Sequence, residues 1–181
     1  MPNHVITEVV IRNLSKEQRE AILAMVASTE QEIDFNTLLP IPLNVWRGSV
    51  GTRHEAAFGK ENTALDWCRH NWGTKWNAYG LGEGGKYQSV DQSADALTLT
   101  FQTAWSTPYG WLLALWHKSG CPFEYTWLDE GREHAFAGRF TTYEGDMRNE
   151  PWLEDKADEA TTRRMHKLMW GVESFDEKAA Q

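Results

Sequence analysis

Residues 65–79 read LDWCRHNWGTKWNAY and place three tryptophans and a tyrosine around the glycine at position 73. Apolar residues recur on one side of the first half, which predicts a helix over Thr63–Trp72. Gly73 follows at the position where a left-handed residue commonly ends a helix. We call residues 65–79 the tryptophan cassette; its composition is too unusual for a generic core segment.

The tryptophan cassette allows a structural and a functional interpretation. In the first, Trp67 or Trp72 fills the core and Trp76 covers the edge of the sheet. In the second, Lys75 and Asn77 supply polar contacts beside Trp72 and Trp76, as residues around interface anchors often do. The candidate contact residues are therefore Trp72, Lys75, Trp76 and Asn77, and the sequence leaves both interpretations open.

On either side of the cassette, hydrophobic periodicity predicts alternating strands and helices. The best strand is Leu97–Trp105, in which apolar residues and threonines alternate and Trp105 falls on the apolar side. Further strands are predicted over Val5–Leu14, Phe123–Asp129 and His134–Tyr143, an extended segment over Phe35–Pro42, and helices over Lys16–Ser28, Pro108–Ser119 and Pro151–Trp170. This order predicts an α+β domain with an antiparallel sheet and helices on one face.

The predicted C-terminal helix is acidic in its first half and basic near its end, an arrangement that suits the helix dipole. Four acidic residues of that first half are further candidate contacts for a basic partner: Glu154, Asp155, Asp158 and Glu159. A solvated helix face explains the same pattern.

Composition narrows the classes of function. The formal charge is −8, from 26 acidic and 18 basic residues, which argues against direct binding to nucleic acid because that affinity comes largely from clustered Lys and Arg. A negative surface suits a basic protein partner, or simply solubility.

The two cysteines, the lack of a signal peptide and the lack of a run of about 20 apolar residues predict a cytoplasmic protein without a membrane span. Ten tryptophans exceed what a core of this size requires.

Several motifs fail when their context is considered. Gly80–Gly85 matches a phosphate-binding fingerprint, but a helix precedes it and a strand follows it, the reverse of the required order. The strand Val9–Leu14 resembles the first strand of an RNA-recognition motif yet lacks the aromatics on which bases stack. Histidines occur singly, so neither a metal site nor a cofactor is predicted. No nucleophile motif is present; enzyme activity stays open, without an argument in its favour.

Three blocks together resemble a known family: Phe35–Pro42, Asp66–Ala78 and Phe101–Pro108. They look like the YubB-like (Api-type) family of small bacteriophage and conjugative-plasmid proteins, which have a ferredoxin-like domain named for its fold. The resemblance spans roughly residues 5–145. It implies a ferredoxin-like domain over residues 1–145, with an irregular insertion at about 43–86, followed by an acidic C-terminal helical extension over residues 146–181.

The resemblance and the composition together lead to an expected function. We expect a non-catalytic binding protein of a phage or plasmid, in the cytoplasm of a bacterial host, that blocks a host defence protein by covering a basic surface. The partner would be a host or mobile-element protein, such as a basic nucleic-acid-binding one. The alternatives are a nucleic-acid-binding ferredoxin-like module and an unrecognised enzyme acting on a nucleotide or small molecule. The oligomeric state is left open.

Overall fold

In a computed structural model of the protein, the structure describes residues 3–80, 88–93, 96–141 and 152–174. The strands are β1 His4–Arg12, β2 Ser89–Gln92, β3 Ala96–Ala104, β4 Phe123–Asp129, β5 Phe136–Phe140 and β6 Trp152–Lys156. The helices are α1 Lys16–Val26, α2 Phe35–Leu38, α3 Thr52–Phe58, α4 Ala64–Asn71, α5 Tyr109–Ser119 and α6 Glu159–Trp170, with a 3₁₀ turn at Lys60–Asn62.

The six strands form one antiparallel sheet in the order β2-β3-β1-β4-β5-β6. β1 lies at the centre, with His4 opposite Ala104 of β3 and Val5 opposite Asp129 of β4. Together with α1 and α5, the first four strands give the βαββαβ arrangement of a ferredoxin-like fold. β5 and β6 extend the sheet beyond β4. The predicted fold class is confirmed.

One face of the sheet carries the main core. Side chains alternate between the two faces of a strand, so Val9 and Ile11 of β1 point to the helices while Ile6 points away. Buried residues of α1, α2, α4 and α5, among them Trp111, cover this face together with Trp72, which follows α4. The aromatic packing of this core accounts for part of the tryptophan surplus.

The C-terminal helix α6 packs on the opposite face. Met165 and Met169 of α6 are buried against Ile6 and Leu128 of the sheet. The rest of this face, towards Val10 and the edge of β6, borders an open groove. One half of the face is therefore covered by α6, and the other half is accessible.

Apart from the start of α6, the ends of the four predicted helices lie within two residues of the observed ends. Ser15 caps α1 in a capping box with Gln18, and three glycines adopt the left-handed backbone conformation after α4, α5 and α6: Gly73, Gly120 and Gly171.

The prediction of an extended segment over Phe35–Pro42 is wrong for its first half, which forms α2. Asp34 caps this helix by accepting a hydrogen bond from the Asn36 backbone N–H at 2.9 Å. The backbone restriction that a proline imposes acts on the residue before it, so Pro40 forces only Leu39 out of the helical conformation.

The prediction of one helix over Pro151–Trp170 is wrong in its first half. Residues Trp152–Lys156 form β6, which pairs with β5, and the helix starts only at Glu159, after the N-cap Asp158. Pairing with a neighbouring strand overrides the local helical pattern here. The predicted glycine-rich loop at residues 80–86 falls, apart from Gly80, outside the described residues.

Candidate binding surfaces

Trp72 of the tryptophan cassette is a core residue. Only 1% of its surface is exposed, and its indole N–H donates to the Leu39 carbonyl oxygen at 2.8 Å. Its ring also packs edge-on against Phe35 and Trp67, with centroids 5.5 Å apart in both pairs. A partner cannot reach this ring, so Trp72 is removed from the candidate contact residues.

The side-chain amide of Asn77 forms hydrogen bonds within the protein. Its side-chain oxygen accepts from the Phe35 backbone N–H at 2.7 Å, and its amide nitrogen donates to the Asp34 carboxylate at 2.7 Å. Asn77 thus links the cassette to the start of α2, and both ends of its amide are occupied.

Lys75 and Trp76, in contrast, lie at the surface. Trp76 is 39% exposed, and the Lys75 ammonium lies 4.7 Å from the centre of its ring. This distance is that of a cation–π contact. Of the four predicted contact residues, Trp72 is therefore buried, the Asn77 amide is occupied by hydrogen bonds within the protein, and Lys75 and Trp76 form a cation–π pair with an exposed indole.

Hydrogen bonds fix this part of the cassette against the end of β3. The Thr74 hydroxyl donates to the Ala104 carbonyl oxygen at 2.9 Å, and the Ser106 hydroxyl donates to the Gly73 carbonyl oxygen. These bonds hold Gly73 and Thr74, which directly precede Lys75 and Trp76, against the end of β3 and the residues after it.

Tyr79 connects the same region to the start of β1. Its hydroxyl lies 2.6 Å from the His4 Nδ1 atom and donates to the Thr103 carbonyl oxygen at 3.1 Å, and its ring lies 6.2 Å from that of Trp76. Burial raises the pKa of Tyr79 to about 12, and the negative charge of Glu130 adds to the shift. A carboxylate therefore acts electrostatically on this end of the sheet.

Trp105 is an exposed candidate contact residue that the sequence pattern missed. Alternation predicted its ring on the core side of β3, but β3 ends at Ala104 and Trp105 takes a φ of 74°. A left-handed backbone is rare for a bulky residue, and here it turns the indole outward, where 53% of the residue is exposed. The only sequence signal was Pro108, three residues later, because proline is excluded from the interior of a central strand.

Two further contacts hold Trp105 in this conformation. Its backbone N–H donates to the Asn3 carbonyl oxygen at 2.9 Å, and the Thr103 hydroxyl donates to the Ser106 carbonyl oxygen at 2.7 Å. We call the surface formed by Lys75, Trp76, Tyr79 and Trp105 the tryptophan end.

Two acidic residues border the tryptophan end. The Asp129 carboxylate accepts from the Asn3 side-chain amide at 3.3 Å, and the Glu130 backbone N–H donates to the His4 carbonyl oxygen at 2.9 Å. The exposed indoles are thus accompanied by carboxylates.

The four acidic candidates at the C-terminus do not lie together on one helix face. Asp158 is the N-cap of α6, and its carboxylate accepts from the Thr161 backbone N–H at 2.7 Å. This hydrogen bond is the main cause that lowers the pKa of Asp158. Glu159 forms an ion pair with Arg163 one turn later.

Glu154 of β6 lies on the face of the sheet that α1 and α5 cover, and it joins a polar cluster there. One of its carboxylate oxygens accepts from Tyr109 at 2.5 Å, from Trp127 at 2.9 Å and from Tyr125 at 3.1 Å. Burial, with the nearby carboxylate as a second cause, raises the pKa of both tyrosines. The exposed Glu154 side chain thereby ties β6 to β4 and α5.

Asp155 lies next to Glu154 in β6 and borders the groove on the opposite face. The groove has a volume of about 730 Å³ and lies between the sheet and α6. Its lining contains five acidic residues and three arginines, and Glu8 pairs there with Arg164 at 2.7 Å. An acidic surplus and the lack of an exposed ring in this lining do not suit nucleic-acid bases, which stack on aromatics in a positive groove.

The tryptophan end and the acidic residues of β6 are separate surfaces. β1, β4 and β5 lie between β3 and β6, and each strand spacing is about 4.8 Å, so β3 and β6 are about 19 Å apart. One partner could contact both surfaces only if it spanned the sheet.

The remaining reactive groups are internal or scattered. Cys68 and Cys121 are free and buried, and burial raises the pKa of the Cys68 thiol to about 12. Within the described ranges no three His, Cys, Asp or Glu side chains are grouped as metal ligands would be. No helix in this part of the chain has the length and apolarity needed to cross a membrane.

Comparison with known proteins gives one family. Residues 85–173 match the model of a ferredoxin-like domain in Api92-like proteins. No curated protein and no solved structure matches the chain. The matched residues run from just before β2 to just after α6, and in the structure they complete one sheet with β1. Residues 85–173 thus form a ferredoxin-like domain of the kind found in Api92-like proteins.

Proposed function

We propose that this protein is a non-catalytic binding protein of a phage or plasmid that attaches to a host or mobile-element protein. Its purpose would be to block a host protein, such as a defence protein, by covering a basic surface. The bacterial cytoplasm would be its place of action.

The tryptophan end is the observation that carries this proposal. Trp76 and Trp105 are both exposed, and both are attached to the end of β3 by hydrogen bonds of neighbouring residues. Exposed tryptophans that are held in place are the type of residue that dominates the energetics of protein interfaces. Because the backbone already fixes both residues, binding would order little additional chain.

Charge supports a basic partner. The whole chain carries −8, and Asp129 and Glu130 border the tryptophan end. Complementary charge accelerates the encounter of two proteins and excludes wrong partners. The acidic residues of β6 and of the start of α6 would form a second, separate contact.

Capture from bacterial lysate by immobilised protein tests the proposal. Trp76→Ala and Trp105→Asn should each lose a captured protein that the wild type retains. Trp46→Ala is the matched control. Trp46 is 36% exposed, but it does not belong to the tryptophan end: it lies in the insertion, where it stacks on His54 and Phe58. Asp155→Asn combined with Asp158→Asn removes two charges while the asparagine still caps α6.

The proposal would fail if the wild type captured no protein. It would also fail if the Trp76 and Trp105 variants captured the same protein as strongly as the Trp46 control.

A further inference from the structure

Among the residues whose exposure the structure describes, three tryptophans are exposed, and they differ in what contacts their rings. Trp46 stacks on His54 and Phe58, with centroid distances of 5.4 and 4.9 Å. Trp76 carries the Lys75 ammonium on its ring. Among the described residues, neither a ring nor a cation contacts the indole of Trp105. Trp105 is therefore the tryptophan whose ring is open to a partner.

The backbone at Trp105 is strained. A non-glycine residue in the left-handed region persists only when its surroundings fix it, and such residues cluster at functional sites. Four hydrogen bonds fix this turn: those of Thr74, Thr103, Trp105 and Ser106 described above. The fold thus maintains a disfavoured backbone whose visible effect is to hold an indole in solvent.

The surroundings of Trp105 favour a positively charged group. Asn3 bonds to Trp105 through its backbone and to Asp129 through its side chain. Glu130 lies next in the chain, and its charge acts on Tyr79. At the neighbouring ring, Lys75 occupies the position above Trp76 that a cation prefers. Asn3 thereby links the Trp105 backbone to the Asp129 carboxylate, and an exposed indole in acidic surroundings suits a guanidinium or ammonium group.

We infer that the open indole of Trp105 receives an arginine or lysine side chain of the partner. This inference rests on the proposed function and names the group that the tryptophan end recognises. The pair Lys75–Trp76 is the internal counterpart of the contact, and the Asp129 carboxylate, which Asn3 links to the Trp105 backbone, supplies complementary charge.

A fluorescein-labelled hexa-arginine peptide tests the inference, with hexa-citrulline as the neutral peptide of nearly the same shape. Fluorescence anisotropy at low salt should show binding of hexa-arginine to the wild type and to Trp46→Ala. Trp105→Asn should bind it about tenfold more weakly. Neither tryptophan variant alters the net charge, so this difference isolates the indole from the general attraction of an acidic protein. Asparagine tolerates the left-handed backbone, so this variant retains the turn.

Two results would overturn the inference: equal binding of hexa-citrulline and hexa-arginine, or equal binding of hexa-arginine by Trp105→Asn and Trp46→Ala. Lysate capture separates this failure from that of the proposed function. If Trp105→Asn lost its captured protein but still bound hexa-arginine normally, the binding function would stand and the cation assignment would fall.

Discussion

At the scale of single residues, the tryptophans of this chain have different tasks that their spacing does not reveal. Trp72 and Trp76 lie four positions apart, yet the first is buried and the second is exposed. The difference arises at Gly73, whose φ of 83° reverses the chain between them. The sequence predicts this turn, but it does not show that the turn separates a buried tryptophan from an exposed one. Both residues were therefore predicted as contacts, and only Trp76 lies at the surface.

Trp105 gives a prediction about stability. Trp105→Asn should increase the free energy of unfolding by about 1 kcal/mol, because asparagine adopts a left-handed backbone with less strain. Urea denaturation measures the change. Trp76→Asn, at an exposed position with ordinary φ, is the control and should change stability little. A less stable Trp105→Asn protein would contradict the strain argument.

Tyr79 gives a prediction about pH. Its folded pKa of about 12 lies above its ordinary value of 10.0. The stability that its neutral hydroxyl gives the folded protein is therefore complete below pH 10 and is lost as the pH rises towards 12. Urea denaturation between pH 9 and pH 11 should show the free energy of unfolding of the wild type falling. Tyr79→Phe should show a shallower fall, and equal slopes would argue against the shift.

At the scale of elements, strand pairing and local caps decide what the periodicity leaves ambiguous. The pattern of acids and bases over residues 151–170 is that of a helix, but β5 offers a partner strand to its first five described residues. Asp158 then starts the helix. The strand β3 and the helix α5 were predictable because their patterns are long and local. β6 was not, because its pairing depends on a sheet edge that the segment itself does not encode.

The crossing of α5 over α4 depends on Gly110. A Cβ atom there would lie 2.1 Å from the Asn71 carbonyl oxygen, which is backbone and cannot move aside. Alanine normally stabilises a helix relative to glycine, yet Gly110→Ala should lower the free energy of unfolding by about 3 kcal/mol.

Gly120→Ala is the matched change at the other end of α5. It meets no atom within 4 Å, so only the backbone cost of its positive φ remains, about 1 kcal/mol. Chemical denaturation of both variants compares clash with backbone strain. An equal or smaller loss at Gly110 would contradict the close approach of the two helices.

The start of α6 depends on Asp158. Asp158→Ala should lower the melting temperature at pH 7, whereas Asp158→Asn should retain most of it, since asparagine also caps helices. The lowered pKa of Asp158 means that its ionised form stabilises the fold above the ordinary value of 3.8, and that this contribution is lost as the pH falls through the folded pKa. The difference in melting temperature between wild type and Asp158→Asn should therefore be smaller at pH 3 than at pH 7. A constant difference between them would count against this role.

At the scale of the whole molecule, the ferredoxin-like arrangement brings distant parts of the chain to one end of the sheet. Residues 3 and 4, the cassette, the end of β3 and the end of β4 meet there. Element order predicted the sheet. It could not predict which side chains gather at its end, because that depends on where each strand stops and on one left-handed tryptophan.

The central claim is that the tryptophan end binds a partner protein. Replacement of Trp105 by the photo-crosslinking amino acid p-benzoylphenylalanine, in bacterial cells, tests it most directly, with the same replacement at Trp46 as the control. We predict a defined crosslinked adduct from position 105 that is absent from position 46 and is lost when Trp76→Ala is added. No adduct at position 105, or the same adduct from both positions, would contradict the account.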